Sequence, residues 1–163
     1  MPVTVALREA QSSDRDHLDA LLARYLRELA QYGNAPAATR SDRYPYLDAY
    51  FSESGRHPFL IRRDDKIAGF VLVRDPVSTG TVWQVAEFYV TPESRRMGIG
   101  RAAVISIWRQ FPGEWELQVH SRNETARQFW KSCVESVADG QPAVREIDAD
   151  DGPRLQYNFR TIA

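Results

Sequence analysis

Apolar residues at Leu18, Leu21, Leu22, Tyr25, Leu26 and Leu29 follow a 3.6-residue period and predict an amphipathic helix. Ser13 or Asp14 can cap its start, and Gly33 should stop it. Before it, Val3 to Arg8 alternates well enough for a strand. After it, Gly33 to Arg43 is rich in Gly, Pro, Ala and Ser and reads as a loop. Tyr44 to Phe51 follows as a short aromatic helix. The period then shortens. Phe59 to Arg63 and Ile67 to Val73 are strands joined by the turn Asp64-Asp65-Lys66, so they form a hairpin. Pro76 to Gly80 is a looser connection into a strand that ends at Val90. Three successive strands with no helix between them should meander antiparallel.

A helix is predicted from Gly98 to Gln110, closed by Pro112-Gly113. The next strand, Trp115 to His120, is reached through that helix and should lie parallel to the strand ending at Val90. A last helix spans Asn123 to about Val134. Two weaker strands, Ala143 to Ile147 and Leu155 to Thr161, flank the acidic turn from Asp148 to Pro153.

Composition narrows the partners. The 163 residues suit one domain, 1–163, with one sizeable core. A net charge of −1 argues against nucleic acid. No apolar run reaches the ~18 residues of a membrane helix, so no membrane partner is expected. The start of the chain lacks a signal-peptide pattern, and its single cysteine, Cys133, fits a reducing compartment. A cytoplasmic protein is the expectation, and no metal is expected.

The chemistry concentrates between Val85 and Arg101. A β-branched, aromatic strand is ended by Pro92 and followed by Arg95, Arg96, Gly98, Gly100 and Arg101 at the start of a helix. Unpaired N–H groups and a partial positive charge at a helix N-terminus, with nearby arginines, suit a pyrophosphate. Glycines there let a ligand approach the main chain. The Gly-Lys-(Ser/Thr) end of a P-loop is missing. Gly98-Ile99-Gly100-Arg101-Ala102-Ala103 formally fits a dinucleotide fingerprint, but that motif directly follows a strand, and here the seven residues Thr91 to Met97 intervene.

Arg95-x-x-Gly98-x-Gly100, followed by Asn123-x-x-Ala126-x-x-Phe129-Trp130, resembles the GNAT superfamily of acyl-CoA-dependent N-acyltransferases over about residues 60–131. The resemblance implies an α/β (α+β) fold. Its central sheet is mixed, mostly antiparallel, with about seven strands and about four flanking helices, and its two central parallel strands splay apart. It also implies acetyl-CoA as cosubstrate. The pantetheine arm would bond to the main chain of Phe88, Tyr89 and Val90. The pyrophosphate would meet the segment Arg95, Arg96, Met97, Gly98, Ile99, Gly100 and Arg101. Asn123, Phe129 and Trp130 would touch the coenzyme or hold the splay open, and Asn123 also suits an N-cap.

The implied reaction is direct acetyl transfer to a primary amine of a small molecule or protein. Glu87 is the first candidate for general base and His120 the second. The superfamily usually places tyrosine, as acid toward sulfur, where Trp130 stands, and indole cannot serve at this pH. Tyr89 is a substitute. The usual Gly-Phe after that helix is also missing, and Cys133 reads as core. Tyr44, Tyr46 and Tyr50 either line an acceptor wall or pack their helix down. With Asp42, Asp48 and Glu53 they lean toward a cationic acceptor. The alternative is an acyl-CoA-binding sensor that has lost catalysis. The last strands or a sheet edge could carry a homodimer contact.

Overall fold

The strand-forming segments pair into one sheet. β1 (Val5–Glu9), β2 (Arg56–Arg63), β3 (Lys66–Arg74) and β4 (Trp83–Val90) run antiparallel in that order. β5 (Gly113–His120) lies parallel to β4, and β7 (Gly152–Thr161) then β6 (Ala143–Ala149) complete the antiparallel far edge. The computed structural model describes residues 3–33 and 44–162. Most of the expected Gly33–Arg43 loop lies outside the described residues.

Among the described residues, five α-helices flank the sheet: α1 (Arg15–Leu29), α2 (Leu47–Ser52), α3 (Pro76–Thr79), α4 (Ile99–Gln110) and α5 (Glu124–Val137). The one not foreseen is α3, within the segment read as a looser connection. Its single turn is held by Asp75, whose carboxylate accepts from the N–H groups of Val77 and Ser78, and ended by Gly80 at φ +91°. α2 is shorter than the aromatic run, since Tyr44 to Tyr46 precede it. The acidic turn tightens to Asp150-Asp151, because Ala149 already pairs with Gly152. No helix among the described residues is long and apolar enough to cross a membrane.

Apolar residues sort to both faces of the sheet. Leu18 and Leu22 of α1 pack on Leu60, Phe70 and Leu72 of the sheet, all at 0% exposure. On the other face Ile107 and Trp108 of α4 and Val134 of α5 pack with Val71, Trp115 and Leu117 of the sheet. Each such side chain contributes about 1.5–3 kcal/mol by leaving water.

Two irregularities in β4 position the site. Its pairing with β5 ends at Val85↔Leu117, after only Trp83↔Trp115 and Gln84↔Glu116. The closed end is an aromatic stack, Trp83 on Trp115 at 5.4 Å and on Phe111 at 4.8 Å. Beyond it the strands part. At the same point β4 carries a bulge: Val73 pairs with Val85 but Leu72 with Glu87, so Ala86 is an extra residue. Residues two apart on a strand normally share a face. The bulge breaks that rule, so Val85, Phe88 and Val90 pack with α4 and α5, while Tyr89 packs with the α1 and α2 cluster.

Candidate active site

The parting of β4 from β5 exposes main chain. The Thr91 N–H bonds to the Ala68 carbonyl at 2.8 Å, which sets the alternation along the β3–β4 ladder. Glu87 and Tyr89 spend their main-chain groups on β3; Phe88 and Val90 direct theirs into the gap. The Val90 carbonyl is already taken there, since Arg95 Nε donates to it at 2.8 Å. The rest of the Arg95 guanidinium pairs with Glu28 of α1 at 2.9 Å and lies over the Tyr89 ring. Arg95 therefore braces the strand end to α1. It does not point at the turn it opens.

That turn is open at Gly98. Its φ is +76°, and a Cβ there would meet no atom within 4 Å. Among the described residues, no hydrogen bond engages the N–H groups from Gly98 through Arg101. Arg96 (φ +63°) and Met97 are exposed beside them, with Arg63 donating to the Met97 sulfur, while Ile99 anchors the helix in the core. Gly100 plays a different part from the one read in the sequence. A Cβ there would stand 3.0 Å from Phe88 Cζ and 3.3 Å from Phe129 Cζ, so this glycine admits the aromatic core beneath it. Arg101 reaches across to Ser132 of α5 at 3.0 Å.

On α5, Asn123 is the N-cap, its side chain accepting from Ala126 N–H at 3.1 Å. Phe129 stacks on Phe88 at 5.3 Å. Trp130 is 7% exposed and stands edge-on to Phe88 at 5.0 Å and to Phe129 at 4.9 Å. The position that carries a tyrosine hydroxyl in the superfamily is thus filled by a packed indole. Cys133 is buried nearby, and burial raises its thiol pKa.

The opposite face holds Glu87. Tyr25 of α1 donates to its Oε1 at 2.7 Å and Tyr44 to its Oε2 at 3.2 Å. Loss of water raises the carboxylate pKa, and the two phenol hydrogen bonds and the Arg154 charge oppose that rise. Burial also pushes both phenols well up, so they stay protonated donors. A carboxylate has about four lone-pair sites, so acceptor capacity remains beside the two tyrosines.

The other predicted residues cluster around this pair unevenly. Tyr89 shares the Glu87 face, tilted against Tyr25 at 5.8 Å and Phe70 at 5.9 Å, with its pKa raised by burial. Tyr50 is buried at 3% exposure, its ring 6.4 Å from that of Tyr44. Tyr46 is exposed, and Arg56 lies over its ring and that of Tyr50. His120 ends β5 with both ring nitrogens engaged. Nδ1 faces the Arg122 N–H at 3.2 Å and Nε2 the Asp151 carbonyl at 3.0 Å, which together fit the neutral Nε2–H tautomer.

Two groups beside Glu87 were missed in the sequence. Tyr25 sat in a leucine stripe and read as core; a lone phenol among leucines was the available signal. Arg154 carries a charge that Glu87 senses, while its guanidinium donates to Asp151 at 2.8 and 3.1 Å and to Gln118 at 3.2 Å. Nothing local in Gly152-Pro153-Arg154 announces that.

Comparison with known proteins follows the same line. The model of the acetyltransferase (GNAT) family matches residues 20–133. An acetyltransferase from Thermus thermophilus superposes with a TM-score of 0.69 at 14% identity, covering 98% of this chain and 97% of that one. A Bacillus anthracis protein solved in complex with acetyl coenzyme A gives 0.64 at 11%, covering 98% of each. Spermidine N-acetyltransferase from Vibrio cholerae, solved with CoA and spermine, gives 0.66 at 12%, covering 96% and 95%. No curated protein sequence matches the chain.

Proposed function

The chain belongs to the GNAT acetyltransferase family, and from that premise we propose that it transfers an acetyl group from acetyl-CoA directly to a primary amine. The observation that carries the reading is the Glu87 carboxylate, held by Tyr25 and Tyr44 beside the gap between β4 and β5.

Acetyl-CoA supplies an acetyl group activated as a thioester. The residues present fit it: a bare turn at Gly98, the four unengaged N–H groups from Gly98 to Arg101, and cationic Arg96 and Arg101 form an anion site at the start of a twelve-residue helix. One of the two gap-facing N–H groups, of Phe88 or Val90, serves the carbonyl oxygen as it gains charge, and the other, with the Phe88 carbonyl, pairs with the amide arm. Glu87 takes a proton from the amine nitrogen as the N–C bond forms. The C–S bond breaks with its electrons on sulfur, and the thiolate takes a proton from water or from Tyr89. His120 positions the Asp151 turn through Nε2, while its Nδ1 accepts from the Arg122 N–H.

Trp130 supports a second reading, a sensor that binds acetyl-CoA without turnover, because it offers no hydroxyl to the sulfur. One experiment separates the two. Acetyl-CoA is titrated while the melting temperature is followed. Thiol release is then measured with spermidine, phenethylamine, a lysine peptide and a peptide with a free N-terminus. Stabilisation with turnover supports the enzyme. Stabilisation without turnover supports the sensor, and no stabilisation removes both.

A further inference from the structure

The opening turn of α4 leads onto a groove that the transfer chemistry does not use. The outward face of the helix carries an open groove of about 470 Å³, lined by Gly98, Arg101, Ala102, Ile105, Ser106 and Arg109. These residues recur at helical spacing, opposite the buried stripe of Ile99, Ala103, Val104, Ile107 and Trp108. The floor, Ala102, Ile105 and Ser106, is small or apolar, and both ends are cationic. No acidic residue lies anywhere in α4. Arg101 stands against the helix dipole: the first turn is partially positive, and a cation there is unfavourable unless an anion joins it. Its guanidinium already reaches Ser132. Arg109 is exposed, and among the described residues it has no hydrogen bond or ion pair. The dipole favours a cation in the last turn of a helix, which would account for Arg109 alone. It does not account for a groove between two arginines that begins at the anion turn.

We propose that this groove receives the adenosine end of acetyl-CoA, with Arg109 bound to its 3′-phosphate. The inference rests on the coenzyme reading above and extends it to residues outside the sequence signature. The diphosphate meets the N–H groups from Gly98 to Arg101, so the ribose has to leave that turn in one of two directions. Along α4, the purine lies flat on Ala102 and Ile105, and the short side chains of Ala102 and Ser106 leave room for a ring. The 3′-phosphate hangs from the same ribose and needs a cation further along the same face. Arg109 stands about 16 Å from Gly98 along the axis, and a helical side chain leans toward the N-terminus, which brings its guanidinium back over the groove. The other direction is over the β2–β3 turn, where Arg63 meets the Met97 sulfur at 3.1 Å. Asp64 and Asp65 follow Arg63 there, and their charge repels a phosphate. The α4 face offers the phosphate a cation without that opposition.

The test compares acetyl-CoA with its 3′-dephospho analogue by isothermal titration. The chains are wild type, Arg109→Gln, Arg109→Lys and Arg63→Gln, each also melted without ligand. Wild type should bind acetyl-CoA about fivefold more tightly than the analogue, the upper range for an exposed ion pair. Arg109→Gln should bind both forms alike, at the wild-type affinity for the analogue, and should melt as wild type does. Arg109→Lys should restore part of the difference, and Arg63→Gln should keep all of it. A wild type that binds both forms equally overturns this inference alone. So does a preference that survives in Arg109→Gln or disappears in Arg63→Gln. So does an Arg109→Gln chain weakened by the same factor toward both forms, which marks a structural or diffuse charge effect. Failure of wild type to bind acetyl-CoA at all removes the coenzyme reading and this inference with it.

Discussion

The two sides of the gap are built by different means. In the site proposed above, the coenzyme side is one continuous stretch, Phe88 to Arg101, whose proposed ligand groups are main-chain groups of β4 and N–H groups around Gly98. The acceptor side is assembled from side chains on separate elements: Tyr25 on α1, Tyr44 before α2, Tyr50 within it, Glu87 on β4 and Arg154 on β7. A main-chain site tolerates change in most side chains but not in backbone shape. A side-chain site depends on each phenol and carboxylate, while its backbone only has to hold them. The first kind suits a cosubstrate that never changes; the second can be retuned one residue at a time for a new amine.

The largest effect expected from breaking this division is at Glu87. Glu87→Gln keeps the shape and an acceptor oxygen for the tyrosines but cannot take a proton, so turnover should fall about 10²–10⁴-fold. Acetyl-CoA affinity should hardly move. Stability should not fall either. The folded state raises this carboxylate's pKa, so the native chain binds the proton more tightly than the unfolded one. Folding stability then declines as pH rises between the two values, and above the raised value the ionised group is a cost that Gln removes. A Glu87→Gln chain with wild-type turnover would take the base out of the mechanism.

A smaller effect is expected on the coenzyme side, where two glycines should answer differently. Gly98 has a left-handed φ and open space, so Gly98→Asn should fold well, because asparagine tolerates that conformation. Its side chain would occupy the ligand's approach and weaken acetyl-CoA binding about tenfold, or about 1.4 kcal/mol. Gly100→Val should do the reverse. It pushes into Phe88 and Phe129 and should cost about 1–3 kcal/mol of stability, with less loss of affinity in the folded fraction. Isothermal titration and thermal melts on the two variants decide the matter; equal loss of affinity in both would mean that the turn acts as one packed unit.

The same contrast explains what could be read in the chain. The turn was legible because its parts are contiguous: a strand, Pro92, arginines, two glycines and a helix. The meander and the parallel β4–β5 pair followed from local periodicity and connection length. Within the turn, side-chain roles were not legible. Arg95 and Gly100 matched the signature, yet in the fold one braces Val90 and Glu28 and the other seats Phe88. The acceptor side resisted for a further reason. The bulge at Ala86, which decides the faces of Glu87 and Tyr89, depends on β3–β4 register. Such a slip leaves no mark in hydrophobic alternation of one strand. Tyr25 lies 62 residues from Glu87 in sequence, and its stripe is equally well explained by core packing.

The smallest effect, and the finest probe of the acceptor side, is Tyr25→Phe. The Tyr25 hydroxyl donates to Glu87 Oε1 at 2.7 Å and so favours the ionised carboxylate against the burial that opposes it. Removing a hydrogen bond to a charged group costs that form about 1.5–3 kcal/mol, less whatever water or Tyr44 recovers. The Glu87 pKa should therefore rise further in Tyr25→Phe. In the mechanism proposed above the working form of Glu87 is the ionised base, so kcat/KM should rise with pH through its pKa, and that acid limb should move to higher pH with it. Above the limb, Tyr25→Phe should work within a few-fold of wild type, because Tyr44 still holds Oε2 and the ring still fills its place against Phe70 at 5.5 Å. Acetyl-CoA affinity should stay constant across the pH range. A limb that stays put would mean that Tyr25 only packs, and a uniform loss at every pH would mean that it places the amine and leaves the proton alone.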